Sequence, residues 1–439
     1  MANLQPYNKY NAIAYDYATQ LPDGWQLLPN IAIFQERIER GHINEELLSV
    51  TIGKGVIKQT DVDIKKDSSN EDKSKYKLIK VGDIAYNKMR MWQGALGYSD
   101  HQGISSPAYV ILKPKMEINP RYFHYMFRTS FYNNYSKRFS YGIVDDQLSL
   151  RYTDFKRMYS IFPPLSVQNK IVAYLDKKNN EIDKFIRNKE RFIELLEEEK
   201  QSIVRRLATK GINENAELKD SKVNWIGQIP TSWTTKKIKY LGKFVSGFSF
   251  DSGDFIDEGV KVIKISNIQP MQLLWDDLSF VKESYYNRYK SFRVVKDDLV
   301  FALTRPIIKG GIKVAIVNTE EKLLINQRNA IYKPNKKLFR DWLYFVILNK
   351  DFISEFDNKI DNTGQQPNIS TADIGNIYIP YPSMDEQKEI VNTIRSEWAE
   401  IDLVISKAQK EISSIKEYRE ALITDLVTGK RSVPQLQKR

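Results

Sequence analysis

At 439 residues the chain is too long for one ordinary hydrophobic core, and three or four structural units are the natural expectation. It carries 67 Lys and Arg against 55 Asp and Glu, a formal charge of +12 that suits a polyanionic partner such as nucleic acid, while 41% hydrophobic and 12% aromatic residues argue against wholesale disorder. Cysteine is absent and only His42, His101 and His124 offer imidazole, which excludes disulfides and thiolate metal sites and leaves no metal expected. Met1–Tyr10 is polar, without an apolar signal region, and the longest apolar run, Trp342–Leu348, is far too short to span a bilayer; a cytoplasmic protein with no membrane contact is expected.

In chain order, residues 1 to about 20 carry Ala12, Ile13, Tyr15, Tyr17 and Ala18 and suit a short helix or arm. Leu21-Pro22-Asp23-Gly24-Trp25 then reads as a turn feeding an aromatic into a first strand, and it recurs as Ile229-Pro230-Thr231-Ser232-Trp233. The first globular unit mixes short β-like runs (Val50-Thr51-Ile52, Tyr109-Val110-Ile111-Leu112) with a loop from Lys65 to Lys75 dense in Lys, Asp and Ser. A helix is expected after Asn119-Pro120, because Tyr122 to Asn134 is aromatic-rich and free of Pro and Gly. The second unit repeats the plan: Lys296-Asp297-Asp298-Leu299 answers Val81-Gly82-Asp83-Ile84, and Arg340-Asp341-Trp342-Leu343 answers the helix at Arg121.

Each unit leads into a long heptad helix. The first has its apolar seam at Val172, Leu175, Ile182, Ile186, Ile193, Leu196, Ile203 and Leu207, interrupted by Asn179, Lys189 and Lys200. Adding 219 to these numbers gives Val391, Ile394, Trp398, Ile401, Ile405, Ala408, Ile412, Ile415, Arg419, Leu422 and Leu426, the seam of a second helix. The same offset carries Gln147 to Gln366, Asp154 to Asp373, Tyr159 to Tyr378, Pro163 to Pro382, Gln168 to Gln387 and Glu181-Ile182-Asp183 to Glu400-Ile401-Asp402. Periodicity alone does not produce that agreement, so the chain contains its own copy. Pro163-Pro164 and Pro380-Tyr381-Pro382 forbid helix upstream; Ser166, Ser383 or Asp385 can cap, Ser383 with Glu386 at capping-box spacing, and Lys210-Gly211 and Gly429-Lys430 are stops.

The layout is α+β: a first globular unit at 1–160 with its arm, a central helix at 161–211, a second unit at 212–380 and a C-terminal helix at 381–439. Two like units favour a pseudo-twofold arrangement with antiparallel helices. With the axis near the middle of each seam, Lys200 lies opposite Trp398 as a cation–π pair and Asn179 opposite Arg419 as a hydrogen-bonded pair.

Catalytic signatures are missing. The chain has no phosphate loop, dinucleotide fingerprint, His-Glu-x-x-His or Gly-x-Ser-x-Gly. Asn119-Pro120-Arg121-Tyr122 is similar to the Asn-Pro-Pro-Tyr loop of amino methyltransferases, but it reads better as a helix-opening turn. Asp145-Asp146, Asp276-Asp277 and Asp297-Asp298 lack the companions of a nuclease metal site and read as solvated turns. Binding has better candidates. Asn87, Lys88, Arg90, Trp92 and Gln93 interleave cations, amides and an aromatic, the mixture that neutralises phosphates and reads base edges. In the second unit Thr304, Arg305 and Lys309, with Asn326, Gln327 and Arg328, offer the same vocabulary.

A Gln, a Pro-rich turn, Pro-Leu-x-x-Gln-x-x-Ile-Val and a heptad helix with Glu-Ile-Asp, from Gln147 to Asp183 and again from Gln366 to Asp402, resemble the specificity subunits of type I restriction-modification systems. Asn87–Gly94 with Ser105-Ser106-Pro107-Ala108-Tyr109, and Leu324–Arg328, look like recurring phrases of that family's target recognition domains, which adds Ser105 to the candidate DNA contacts. Tyr381-Pro382-Ser383-Met384 replaces the usual Pro-Pro-Leu, and Val167 the usual Glu. The resemblance implies that each recognition domain reads one half of a split, asymmetric site in double-stranded DNA and that the helices set the spacer. It also implies docking of modification subunits, two of them, and of two restriction subunits, with S-adenosylmethionine, ATP and Mg in those partners and no cofactor in this chain. Two rival readings stand beside it: a methyltransferase in its own right, and a non-enzymatic coiled-coil scaffold whose basic charge is incidental.

Overall fold

The computed structural model describes residues 4–15, 17–62, 72–142 and 148–434. Gln147, the pair Asp145-Asp146 and most of the Lys65–Lys75 loop fall outside them. The chain is α+β and divides into two compact units, Met1–Lys189 with Gln409–Arg439, and Glu190–Ala408. The two long helices, Leu165–Lys210 and Met384–Val427, are thus shared: each starts in one unit and ends in the other.

In the first unit a four-stranded antiparallel sheet has the order Phe34–Glu36, Tyr109–Pro114, Ile84–Asn87, Leu96–Tyr98. Its strands are apolar on both faces because both are covered. Ile84, Tyr86, Val110 and Leu112 face a large core filled by aromatics of the helices Pro120–Phe127 and Ser130–Arg138, whereas Ala85 and Ile111 face a smaller one with Val50, Val56 and Ile79. The second unit repeats this. Gly242–Ser246, Asn329–Pro334, Leu299–Ala302 and Val314–Ile316 stand in the same order, antiparallel throughout. Leu299, Phe301, Ala330 and Tyr332 point to one core, and Val300, Ala302 and Ile331 to the other.

The duplication extends to single hydrogen bonds. At the entry to the second sheet strand, Asp83 Oδ2 accepts from Lys80 N and Asp83 O from Ser99 N, as Asp298 Oδ2 accepts from Val295 N and Asp298 O from Val317 N. Trp25 N donates to Pro22 O at 3.0 Å and Trp233 N to Pro230 O at 2.9 Å, closing the same turn before the strands Gln26–Pro29 and Thr234–Lys237. Gln168, fully buried, accepts from Asn119 N and donates to Pro163 O; Gln387, equally buried, accepts from Phe339 N and donates to Pro382 O. Each glutamine thereby ties the first turn of a long helix to the entry of its unit's aromatic helix.

Several local expectations are corrected. The arm is extended, not helical: Tyr10–Tyr15 pairs with Ala18–Pro22, and Tyr17 stacks on Tyr135 at 4.1 Å. The helix expected through Asn134 is two, because Thr129 leaves helical conformation and its hydroxyl accepts from Tyr132 N to cap the second. Ser166 lies inside its helix, since Pro164 O already accepts from Val167 N and Gln168 N. Ser383 Oγ does accept from Glu386 N, but the Glu386 carboxylate takes the Trp233 indole N–H at 2.8 Å, so the reciprocal half of the box is not formed. Gly211 and Gly429 end the helices at φ 73, where a side chain would be strained.

Within each unit the helix segments run antiparallel. Asp183 pairs with Arg419 and Lys189 with Glu411 in the first, Lys200 with Asp402 and Arg206 with Glu397 in the second. Seam residues Val172, Leu175, Ile182, Ile186, Ile203, Leu207, Val391, Ile394, Trp398, Ile405, Leu422 and Leu426 are buried. Ile193, Leu196, Ile401, Ile412 and Ile415 are half-buried, as a seam closed by one neighbouring helix leaves them. Lys200 Nζ sits 4.7 Å from the Trp398 ring centre, and Trp398 Nε1 donates to Lys200 O. Asn179 and Arg419 do not bond each other. Arg419 takes the charged Asp183, one turn along, and Asn179 donates to Tyr125 Oη.

Candidate nucleic-acid interface

In the first unit Asn87 ends a sheet strand, and the chain turns at once into a tight loop. Arg90 N donates to Asn87 O, Gln93 N to Arg90 O and Gly94 N to Met91 O, with Gly94 left-handed at φ 84. Buried Met91 anchors the turn, leaving Met89, Arg90 and Gln93 exposed and Lys88 half-buried. Trp92 is half-buried beneath Lys137, whose Nζ lies 5.2 Å from the ring. Ser105 does not reach the surface: it pairs with Lys77 at the end of the strand Gly103–Ser105 and is fully buried.

In the second unit Thr304 is buried and donates to Asn368 Oδ1 at 3.0 Å, while Arg305 and Lys309 are exposed. Asn326 is half-buried and its side chain accepts from Gln327 N; Gln327 and Arg328 are exposed. Arg305 and Arg328 are held at φ 47 and φ 66, a region that costs an L-residue about 1–2 kcal/mol.

Sheet pairing brings these groups together. Leu303 N donates to Arg328 O, joining Thr304, Arg305 and Lys309 to Asn326, Gln327 and Arg328 in one patch. The matching contact in the first unit runs from Lys88 N to Ala108 O, setting Lys88–Gln93 beside the Ser106–Ala108 segment. Both patches therefore occupy the same end of corresponding sheets, where the second strand leaves and the fourth begins. Lys313 lies buried under the second patch. Its Nζ donates to Ile265 O, and desolvation, then the charge of Arg305, depresses its pKa. No motif marks Lys313 or Asn368; only the fold places them there.

Two carboxylates of the acidic pairs, Asp277 and Asp297, are occupied elsewhere. Asp297 pairs with Arg340 and Asp83 with Arg37 at the opposite end of each sheet, and Asp277, bound by Lys264 and Ser266, is held below the usual carboxylate range. Asn119-Pro120-Arg121-Tyr122 is a helix opening: Asn119 Oδ1 accepts from Arg121 N, and Tyr122 is buried with its hydroxyl on Val427 O. Among the described residues no cluster of three or more metal-ligating side chains occurs, and no helix is long and apolar enough to cross a membrane.

Fold and edges together define a duplicated α+β protein built on two shared helices. A family model described as the type I restriction modification DNA specificity domain matches residues 230–412. The type I restriction enzyme MjaVIII specificity subunit of Methanocaldococcus jannaschii is 30% identical over 375 residues, covering 83% of this chain and 84% of that protein. Among solved structures, a chain from work on complex assembly and conformational transition of the type I R-M system shares the fold with a TM-score of 0.69 at 15% identity, covering 93% of this chain and 99% of its own. The HsdS subunit of Thermoanaerobacter tengcongensis matches with a TM-score of 0.51 at 16% identity, covering 93% of this chain and 98% of that one. The chain belongs to the type I restriction enzyme specificity subunits. Its role is recognition of DNA sequence, without catalysis of its own, and that membership implies DNA and the methyltransferase and restriction subunits as partners.

Proposed function

We propose that each unit reads one half of a bipartite, asymmetric site in double-stranded DNA, and that the two long helices fix the unread spacer between the halves. The observation that carries this reading is the doubled edge: two sheets of identical strand order expose cation- and amide-rich loops at the same end, yet the loops differ in sequence. Equal frames with unequal reading groups suit two unlike half-sites. In this reading Asn87, Lys88, Arg90, Trp92 and Gln93 serve the first half, and Arg305, Lys309, Asn326, Gln327 and Arg328 the second, with arginine suited to guanine and amides to adenine. Buried Thr304 and Ser105 support their loops from beneath.

Helices of this length are roughly 65–70 Å long, a suitable ruler for DNA rising about 3.4 Å per base pair. Two modification subunits dock on them and two restriction subunits join the assembly, in the cytoplasm; S-adenosylmethionine, ATP and Mg act in those partners. The test is an exchange of residues 21–160 for the corresponding domain of another such subunit, followed by methylation mapping. One half of the recognised site should change and the other stay; a change in both halves would refute independent reading.

A further inference from the structure

We infer that Gln366 is a positioning residue that donates to a DNA phosphate and fixes the register of the duplex on the second unit's edge, an inference that rests on the reading proposed above. Gln366 lies in a hairpin, Asp361 to Asn368, closed by Asp361 N to Asn368 O at 2.7 Å and Asn368 N to Asp361 O at 3.0 Å. The Asp361 carboxylate turns the hairpin by accepting from Thr363 N and Oγ1. Its exit is sewn to the edge: Arg305 N donates to Pro367 O, Thr304 Oγ1 to Asn368 Oδ1 and Ile369 N to Leu303 O. The hairpin therefore stands directly beside Arg305. All of Asp361–Asn368 is exposed, and among the described residues the Gln366 side chain has no hydrogen-bond partner.

The first unit closes its chain at the corresponding place, one residue wider: Ser149 answers Asn368 at the offset of 219, while Tyr141 answers Ile360. Tyr141 and Ser149 exchange both backbone bonds, at 3.0 and 2.8 Å, and Leu150 N donates to Lys88 O. Residues 143–147 lie outside the described residues; in the sequence Gln147 stands at the offset of 219 from Gln366. Neighbouring positions differ: Asp146 stands against Gln365, and the base-reading loops have diverged beyond alignment. A group that stays the same in two copies reading unlike bases contacts what is alike in both half-sites, and the phosphate backbone is alike everywhere. An exposed side-chain amide is a common phosphate donor, of the kind that sets orientation without carrying sequence information.

The experiment measures binding of the full chain to a mixed-sequence duplex across a salt series, with the methylated motif mapped for each variant. Gln366→Ala should weaken binding roughly three- to tenfold on every sequence. Motif, thermal midpoint and salt slope should stay unchanged, since a neutral donor releases no counterion. Gln366→Glu should lose more than Ala, and Gln366→Lys should recover affinity with a steeper salt slope. A relaxed base preference in Gln366→Ala would show base reading and overturn the proposal. So would wild-type binding by Gln366→Ala while Arg305→Ala binds weakly; if both variants bind as wild type, the parent reading of this edge falls as well.

Discussion

Arg305 sets stability against function within one residue. Its left-handed backbone costs about 1–2 kcal/mol, and glycine there would give up only about 0.5–1 kcal/mol of chain entropy. Arg305→Gly should therefore be as stable as wild type or up to about 1.5 kcal/mol more so in denaturant unfolding, while its DNA affinity drops about tenfold or more. Loss of stability with binding intact would make the arginine structural. His124 tests the first unit. Burial, then Arg128 and Arg121, push its pKa down to about 3, and its Nδ1 accepts from Tyr98 N at 3.1 Å, which an unprotonated nitrogen alone can do. The unfolded chain protonates this histidine near pH 6.5. Its contribution is thus whole above that pH and declines as pH falls from about 6.5 towards 3. His124→Asn keeps an acceptor without titrating, so the advantage of wild type over the variant should shrink by about 1–2 kcal/mol from pH 7 to pH 5. A constant difference would contradict the assignment. At this scale the sequence pointed to residue types suited to binding but not to their exposure: Ser105 sits in a familiar phrase yet is buried, because its pairing with Lys77 is set by chain distant in sequence.

Among the elements, the long helices were the most legible, because heptad phase fixes which residues meet. The Lys200–Trp398 contact follows from two seams and one axis. The Asn179–Arg419 pair failed for a physical reason: Tyr125 comes from the globular part, and Asp183 offers a guanidinium a charged partner that a neutral amide cannot match. The buried glutamines were visible as a repeated letter but not as clamps, since their partners Asn119 N and Phe339 N lie 49 and 48 residues away. Replacing Gln168 or Gln387 by Leu strands one half-buried backbone N–H and one buried carbonyl. Each change should cost about 1–3 kcal/mol of unfolding free energy. Similar costs at both sites, read by denaturant titration, would mark them as equivalent parts; a cost at one site only would break the equivalence.

For the whole molecule, the internal copy is what organises the chain, from sheet order down to the Asp83 and Asp298 turns. It was readable where the constraint is repeated packing, in the helices and their glutamines. It faded in the loops, whose sequences have diverged beyond alignment, and there the register Asn87 with Tyr109, and Ala302 with Asn329, reveals that the two edges match. The central claim is that this duplication serves a split site read at a fixed spacing. Methylation mapping of the genome that encodes the chain tests it most directly. Two unlike short motifs separated by a constant number of unspecified base pairs are expected; a continuous motif, or halves at variable spacing, would rule out a split site.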